Sequence, residues 1–297
     1  MDRLLAMHVF VRVAETGTFS AVARERNTTQ SAISKQVAAL EQHLGVRLLT
    51  RSTRALALTD DGRRYFEQAR RLVAEVAEAE QQLRHGTHQL EGSMRVAAPV
   101  GFGLRVMMPL VQRFLAEHPA VRIDLRLHDH YIDLVEQGID MAVRIGHLSD
   151  SALIARGIGR SQGTLMASAS YPAALAAPTD LLRHSCIVYT ELSSKNVWHF
   201  SHADGREAAV AVTGALQSNS SEVVRAALLD GMGIAYAPSW MVRQELADGR
   251  VRPLLPEWAI APLPINLVWP KHRQQVARVR AFADFLAGAL ADNSGPG

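Results

Sequence analysis

The sequence predicts an α/β protein in three parts: a small helical N-terminal module closed by a β-hairpin, one long helix, and a body of alternating strands and helices. Three observations predict it. Residues 1–58 carry eight Lys/Arg against four Asp/Glu, residues 59–90 five against six, and residues 91–297 nineteen of each, so the whole +3 excess arises at the N-terminus. From Tyr65 to Leu90 apolar residues recur at steps of four and three, the period of a helix with one narrow apolar stripe. After Gly92 short apolar runs alternate with helical periodicity, as in a parallel α/β unit.

Residues 2–15 place Leu4, Leu5, Met7, His8, Val9, Val11 and Val13 densely enough for a helix packed on most sides, and Gly17 stops it. Thr18 can cap a second, shorter helix whose inward face is Phe19, Val22 and Ala23. Asn27 and Thr28 make a turn, Thr29 caps a third helix (QSAISKQVAALEQHL), and Gly45 ends it. At about 100° per residue, Ile33, Val37, Leu40 and Leu44 form one buried stripe on that helix. Opposite lie Ser31, Lys35 and Ala38, with Ser34 alongside and Gln30 at the tip. Such short polar side chains let a helix enter a groove about 12 Å wide and hydrogen-bond base edges. The run LLTRSTRALALT then reads as a hairpin with Arg51 and Arg54 at its tip, a wing suited to phosphates. Thr59 caps the long helix, Asp60 and Asp61 complement its first turn, and it is expected to reach about Leu90. Its seam, Tyr65, Ala69, Leu72, Val76, Ala79, Leu83 and Leu90, calls for a second copy of the chain, which would also pair two recognition helices for two half-sites.

The run FSAVARERNTTQSAISKQVAALEQHLGVRLLTRSTRALALTDDGRRY resembles the N-terminal signature of the LysR-type transcriptional regulators along its full length. The resemblance implies base or phosphate contacts from Gln30, Ser31, Ser34 and Lys35 and phosphate contacts from Arg51 and Arg54. Many members carry Arg where Lys35 stands, and Lys cannot fork bidentately to a guanine, so a phosphate role is as good a reading of Lys35 as a base contact.

In the body, SMRVAAPV, VRIDLRLHD and IDMAVRIG read as strands, with VMMPLVQRFLAEH and YIDLVEQ as connecting helices. A second unit begins near Ser161 with GTLMASAS, CIVYT, a hairpin turning at Asp204-Gly205, the helix SEVVRAALLDG and the strand GIAYAP. PINLVW and the helix ARVRAFADFLAGAL then return to the first. The looser family resemblance here implies two Rossmann-like lobes of the periplasmic-binding-protein type with an effector between them. The expected organisation is a DNA-binding domain over 1–59, a linker and dimerisation helix over 60–90, and an effector domain over 91–297. Its lobe I comprises 91–160 and 267–297, and its lobe II 161–266. Ligand positions in such sheets lie beyond strand C-termini and at helix N-termini. Those positions are Val100, Gly101 and Phe102, Asp129 and His130, Arg144 to Gly146, and Asn219 to Ser221 with Ser220 between, and Trp198 and Phe200 are candidates for an aromatic wall. An acidic or aromatic small molecule is the expected effector.

Other signals lead elsewhere. Gly159-x-Ser161-x-Gly163 matches a hydrolase elbow, but a strand is expected after it where an elbow needs a helix. Gly231-x-Gly233 lies between a helix and a strand, the reverse of a dinucleotide loop. His128 and His130 share a strand face without an evident third ligand, so neither metal nor cofactor is expected. The single cysteine, Cys186, excludes an internal disulfide and sits in an apolar run as a small hydrophobe. No apolar run approaches the roughly 20 residues that span a bilayer, and the start lacks a basic leader, so a cytoplasmic location and no membrane partner are expected. The expected partners are double-stranded DNA with an interrupted palindrome, a small-molecule effector, a second copy as dimer or tetramer, and RNA polymerase. An α/β enzyme would need a nucleophile, base and oxyanion set that the sequence does not offer, and an exported solute receptor would not carry the winged helix.

Overall fold

The computed structural model describes residues 2–51, 56–84, 90–148, 152–192, 194, 196–273 and 276–292. It forms two compact units, Met1–His88 and Gln89–Gly297.

In the N-terminal unit, α1 (Arg3–Thr16), α2 (Phe19–Glu25) and α3 (Gln30–Leu44) each begin at a polar cap. Asp2, Thr18 and Thr29 accept from the N–H groups of Leu5, Ala21 and Ala32 at 3.0–3.2 Å, satisfying donors that each first turn leaves free. Gly17 and Gly45 end α1 and α3 at φ 70° and 71°, the left-handed conformation that a side chain penalises. Ile33, Val37 and Leu40 join Val9, Phe10, Val13 and Val22 in a shared core. Leu44, expected on the same stripe, is 36% exposed, because it is the last helical residue and the core ends one turn earlier. Glu41 reaches back to accept from the N–H groups of Leu48 and Leu49 at 2.8 and 3.0 Å, which fixes where the chain turns into the hairpin. The hairpin pairs β1 (Leu49–Arg51) with β2 (Leu56–Leu58) antiparallel.

The long helix α4 runs Asp60–Arg84, and Leu90 lies beyond it in coil, packed against the core of the second unit. Two of its expected seam residues are used within the N-terminal unit. Ala69 is fully buried there, and Tyr65 and Phe66 bring their rings within 5.6 and 6.4 Å of Phe10. The stripe is therefore shared: its first turns complete the small module's core, and Leu72, 48% exposed, is the first large seam residue left open.

The second unit holds two five-stranded sheets. The first has the order β4-β3-β5-β15-β6, built from β3 (Gly92–Ala98), β4 (Val121–Leu127), β5 (Met141–Ile145), β6 (Leu153–Ser161) and β15 (Leu263–Pro270). Here β3 pairs parallel with β4 and β5, whereas the returning β15 is antiparallel to both β5 and β6, so the sheet is mixed and not purely parallel. Between β3 and β4 the chain passes from α5 (Val100–Phe102) through a π-helical turn (Gly103–Met107) into α6 (Met108–Glu117). Helices α6 and α9 (Ala277–Asp292) cover the sheet, with Phe114 and Phe282 in contact at 4.8 Å between centroids.

Residues 131–137 do not form the expected helix. Asp133 accepts from the N–H groups of Val135 and Glu136 at 2.8 and 2.9 Å, a local turn that competes with helix, and Ile132 and Leu134 are buried as a pair two residues apart.

The second sheet, β11-β8-β12-β7-β13, contains β7 (Gly163–Ser168), β8 (Cys186–Tyr189), β11 (Gln217–Ser218), β12 (Ile234–Pro238) and β13 (Val251–Pro253). Helix α7 (Ser221–Leu229) packs on it, and α8 (Arg243–Ala247) follows β12. The third, small sheet sets β9 (Val197–His202) between β10 (Glu207–Ala211) and β14 (Trp258–Ala259), with Gly205 at φ 91° in the expected hairpin turn. The chain crosses between the lobes at Gln162, a single residue between β6 and β7, and returns just before β15. The Gly159-x-Ser161-x-Gly163 stretch thus runs from strand to strand.

Candidate functional site

Two surfaces carry the functional expectations, one in each unit. On α3 the expected DNA-contacting residues share one face. Gln30, Ser31, Lys35 and Ala38 are exposed and Ser34 is half-buried, directly opposite the buried Ile33, Val37 and Leu40. Arg51 is the last residue of β1, at the hairpin end. Arg54 lies outside the described residues.

In the second unit a cavity of about 160 Å³ opens between the lobes. That is the scale at which a protein cavity takes a single benzene-sized ring, as one of about 150 Å³ does. Phe102, Asp129, His130, Arg144, Ile145 and Ser221 of the expected effector residues line it.

The others have different places. The N–H of Val100 donates to Asp129 Oδ1 at 2.9 Å and the N–H of Gly101 to Ser221 Oγ at 3.2 Å, so both meet the lobe junction through backbone behind the cavity wall. Gly146, at φ 123°, donates its N–H to the carbonyl of Pro264 at 2.9 Å and turns the chain after β5. Asn219 is exposed and Ser220 is the N-cap residue of α7; the chain reaches the cavity one residue later, at Ser221. Trp198 is no cavity wall. It is 3% exposed inside the core of the second lobe, its ring 6.1 Å from that of Tyr236, because its position in β9 faces inward against the second sheet. Phe200 is buried in the same core.

Sequence reasoning missed the wall contributed by the second lobe, chiefly Tyr189, Glu191, Tyr236 and Trp240. Tyr189 and Glu191 stand at and just beyond the end of β8, and Tyr236 is near the end of β12. The strand-end rule applied to the first lobe would have found them. Trp240 bridges the lobes: its ring meets Phe102 edge-on at 5.5 Å, and its Nε1–H donates to Ser161 Oγ at 3.0 Å.

The polar side of the junction converges on Asp129. Oδ1 accepts from the N–H of Val100, Oδ2 accepts from the N–H of Ser221 at 2.8 Å, and the Ser221 hydroxyl lies 3.0–3.1 Å from both oxygens. Beside it Arg105 forks onto Glu222 at 2.5 and 2.8 Å, a second bond from the first lobe to the start of α7. Arg144 donates to the carbonyl of Ile132 at 3.1 Å and lies 4.7 Å over the Tyr131 ring. Burial, with the carboxylates of Asp129 and Glu191 adding to it, pushes the Tyr189 hydroxyl well above its ordinary pKa.

His128 and His130 face each other with ring centroids 5.5 Å apart, and among the described residues no group of three His, Cys, Asp or Glu could hold a metal ion. Cys186 is fully buried and its thiol is pushed up to about 12 by that burial, which leaves little thiolate to react. Among the described residues no helix is long and apolar enough to cross a membrane.

A winged helix-turn-helix, together with a two-lobed body built around an interlobe cavity, defines a DNA-binding regulator that carries its own ligand-binding domain. Residues 4–63 match the bacterial regulatory helix-turn-helix proteins of the lysR family, and residues 87–291 match the LysR substrate binding domain. The chain belongs to the LysR family of transcriptional regulators. It is 35% identical over 290 residues to the HTH-type transcriptional regulator CrgA of Neisseria meningitidis serogroup C, with 96% of each chain covered. The solved structure of CrgA from Neisseria meningitidis matches with TM-score 0.61 and 34% identity, covering 96% of this chain and 98% of that one. The full-length structure of AphB, the Vibrio cholerae virulence activator, matches with TM-score 0.58 and 29% identity, covering 96% of this chain and 98% of AphB.

Proposed function

We propose that α3 enters the major groove and that Gln30, Ser31 and Ser34 read base edges while Lys35 and the wing residues Arg51 and Arg54 hold phosphates. The observation that carries this is the exposed, small and polar face from Gln30 to Ala38 set opposite a buried stripe. Two copies associate through α4, where Leu72 stays open, and so present two recognition helices to the halves of an interrupted palindrome. A small molecule in the interlobe cavity biases how the DNA-bound form is held, acting in the cytoplasm and on RNA polymerase at the promoter. The expected effector residues that support this are Phe102, Asp129, His130 and Arg144, which line one cavity.

Selection from randomised duplex DNA, followed by binding titrations at several salt concentrations, tests the DNA-contact assignment. Gln30→Ala or Ser34→Ala is expected to cost about 1–3 kcal/mol on the selected site and to relax one base position in each half-site. Arg51→Ala is expected to weaken binding to all sequences and to lower the salt slope by about one unit. An unchanged base preference removes Gln30 and Ser34 from the reading set, and an unchanged slope removes Arg51 from the phosphate set. For the cavity, Leu263→Trp, at a half-buried lining position, is expected to abolish the response of promoter binding to cell extract fractions that alter it in the parent protein, while leaving the affinity of the ligand-free protein unchanged. A retained response would place the effector elsewhere.

A further inference from the structure

We propose that Asp129 is a resident anion: its carboxylate fills the donor cluster at the lobe junction, so that the cavity refuses carboxylate ligands there and accepts an uncharged or cationic ring-bearing one. The proposal rests on the reading of the cavity as the effector site. Three donors from two lobes converge on this one side chain, the N–H groups of Val100 and Ser221 and the Ser221 hydroxyl, all at 2.8–3.1 Å. Ser221 begins the nine-residue α7, where the helix dipole adds to the attraction for negative charge. This is the arrangement that would hold a ligand carboxylate, and the chain supplies the carboxylate itself. A tethered and oriented group competes at an effective concentration that a free anion does not reach.

The charges on the remaining wall point the same way. Glu191 adds a second carboxylate to the lining, against the single guanidinium of Arg144, which is already stacked on Tyr131 and bonded to the Ile132 carbonyl. Among the permanently charged lining groups a free carboxylate would therefore meet two like charges and one engaged cation, with only the neighbouring imidazoles of His128 and His130 to offer it further donors. The aromatic residues Phe102, Tyr189, Tyr236 and Trp240 supply faces for a ring, and the cavity volume suits one. A cationic head would find Glu191 and the outer edge of Asp129, and an uncharged one the tyrosine hydroxyls.

The test removes the resident anion and offers a replacement. The melting temperature of the full chain is measured in acetate and in chloride at equal ionic strength, followed by calorimetric titration with benzoate and benzylamine. Asp129→Ala is expected to melt several degrees below the parent and to regain most of that loss in acetate, while the parent is indifferent to the exchange. The variant is expected to bind benzoate at least tenfold more tightly than the parent does, and the parent to bind benzylamine in preference to benzoate. Acetate stabilising parent and variant equally, or neither, overturns the proposal, as does a parent that takes benzoate as tightly as the variant or prefers it to benzylamine. Should Asp129→Ala aggregate, Asp129→Ser with formate leaves comparable space, and the same results decide. The acetate response reads the donor cluster alone, whereas the effector reading stands or falls on the promoter response of Leu263→Trp, so the two can fail separately.

Discussion

Asp140→Asn is expected to destabilise the C-terminal body by about 3 kcal/mol, because it removes a carboxylate partner of a buried guanidinium while leaving that charge in place. Asp140 and Arg273 are each 6% exposed, with Arg273 Nε 3.0 Å from Asp140 Oδ1. Oδ2 accepts the N–H of Arg95 at 2.7 Å, so one carboxylate ties the entry of β5 to β3 and to the segment that follows β15. Asn keeps the shape and an acceptor for Arg95 but not the negative charge that faces the guanidinium. The readout is clean. The four tryptophans, Trp198, Trp240, Trp258 and Trp269, all lie in the second unit, so fluorescence during urea unfolding follows that unit alone. Asp124→Asn is the matched comparison: its carboxylate, held below the usual range by Arg126 and Arg95, is 40% exposed and is expected to cost at most about 1 kcal/mol. Equal losses for the two variants would mean that burial confers no special weight on the Asp140 pair.

How much of this was legible in the sequence depends on whether the deciding interaction was local. The caps at Thr18 and Thr29, the stop at Gly45 and the stripe of Ile33, Val37 and Leu40 are properties of short stretches, and all four were readable. The helix expected over residues 131–137 failed because the turn at Asp133 is also local but competes with a weak periodicity, and burial of Ile132 and Leu134 decided between them. β6 left no strand signal at all. It is an edge strand with Arg156, Gly157, Gly159 and Arg160 in its length, and only its antiparallel register with β15, more than a hundred residues away, makes it a strand. The same partner makes the sheet mixed, which no local pattern announces.

The candidate sites divide in the same way. The face of α3 follows from 3.6-residue periodicity and needed no tertiary knowledge. The cavity needed two lobes at once: Phe102, Asp129, His130 and Arg144 come from strand-end reasoning in the first, but Trp198 looked equally aromatic and equally placed until its strand proved to face a core. Asp129 illustrates the limit most clearly. Its position after a strand marked it as a rim residue, while its partner Ser221 stands 92 residues on in the other lobe.

The second large effect is expected at Gly62, where local propensity and tertiary packing predict opposite signs. Gly62 lies in the first turn of α4, and replacing a helical Gly by Ala ordinarily stabilises by about 0.5–1 kcal/mol. Here the added methyl would fall deep inside the contact distance of the Leu48 carbonyl oxygen, which is backbone and cannot swing aside. That carbonyl already accepts the N–H of Thr59 at 3.0 Å, and the Thr59 hydroxyl accepts the N–H of Gly62 at 2.8 Å, so the start of α4 is laid directly across the chain entering the wing. Overpacking of this kind costs about 1–3 kcal/mol, and moving α4 also withdraws Tyr65 and Ala69 from Phe10. Gly62→Ala is therefore expected to destabilise the N-terminal unit by about 3 kcal/mol and to reduce DNA affinity more than tenfold, read by circular dichroism melting and by anisotropy of a labelled operator. Gly288→Ala supplies the opposite control. It lies within α9 with nothing inside 4 Å of the new methyl and is expected to stabilise its own unit by about 0.5–1 kcal/mol without touching DNA binding. A Gly62→Ala protein as stable as Gly288→Ala, with full affinity, would mean that α4 does not lie against Leu48. The recognition module would then owe nothing to the first turn of that helix.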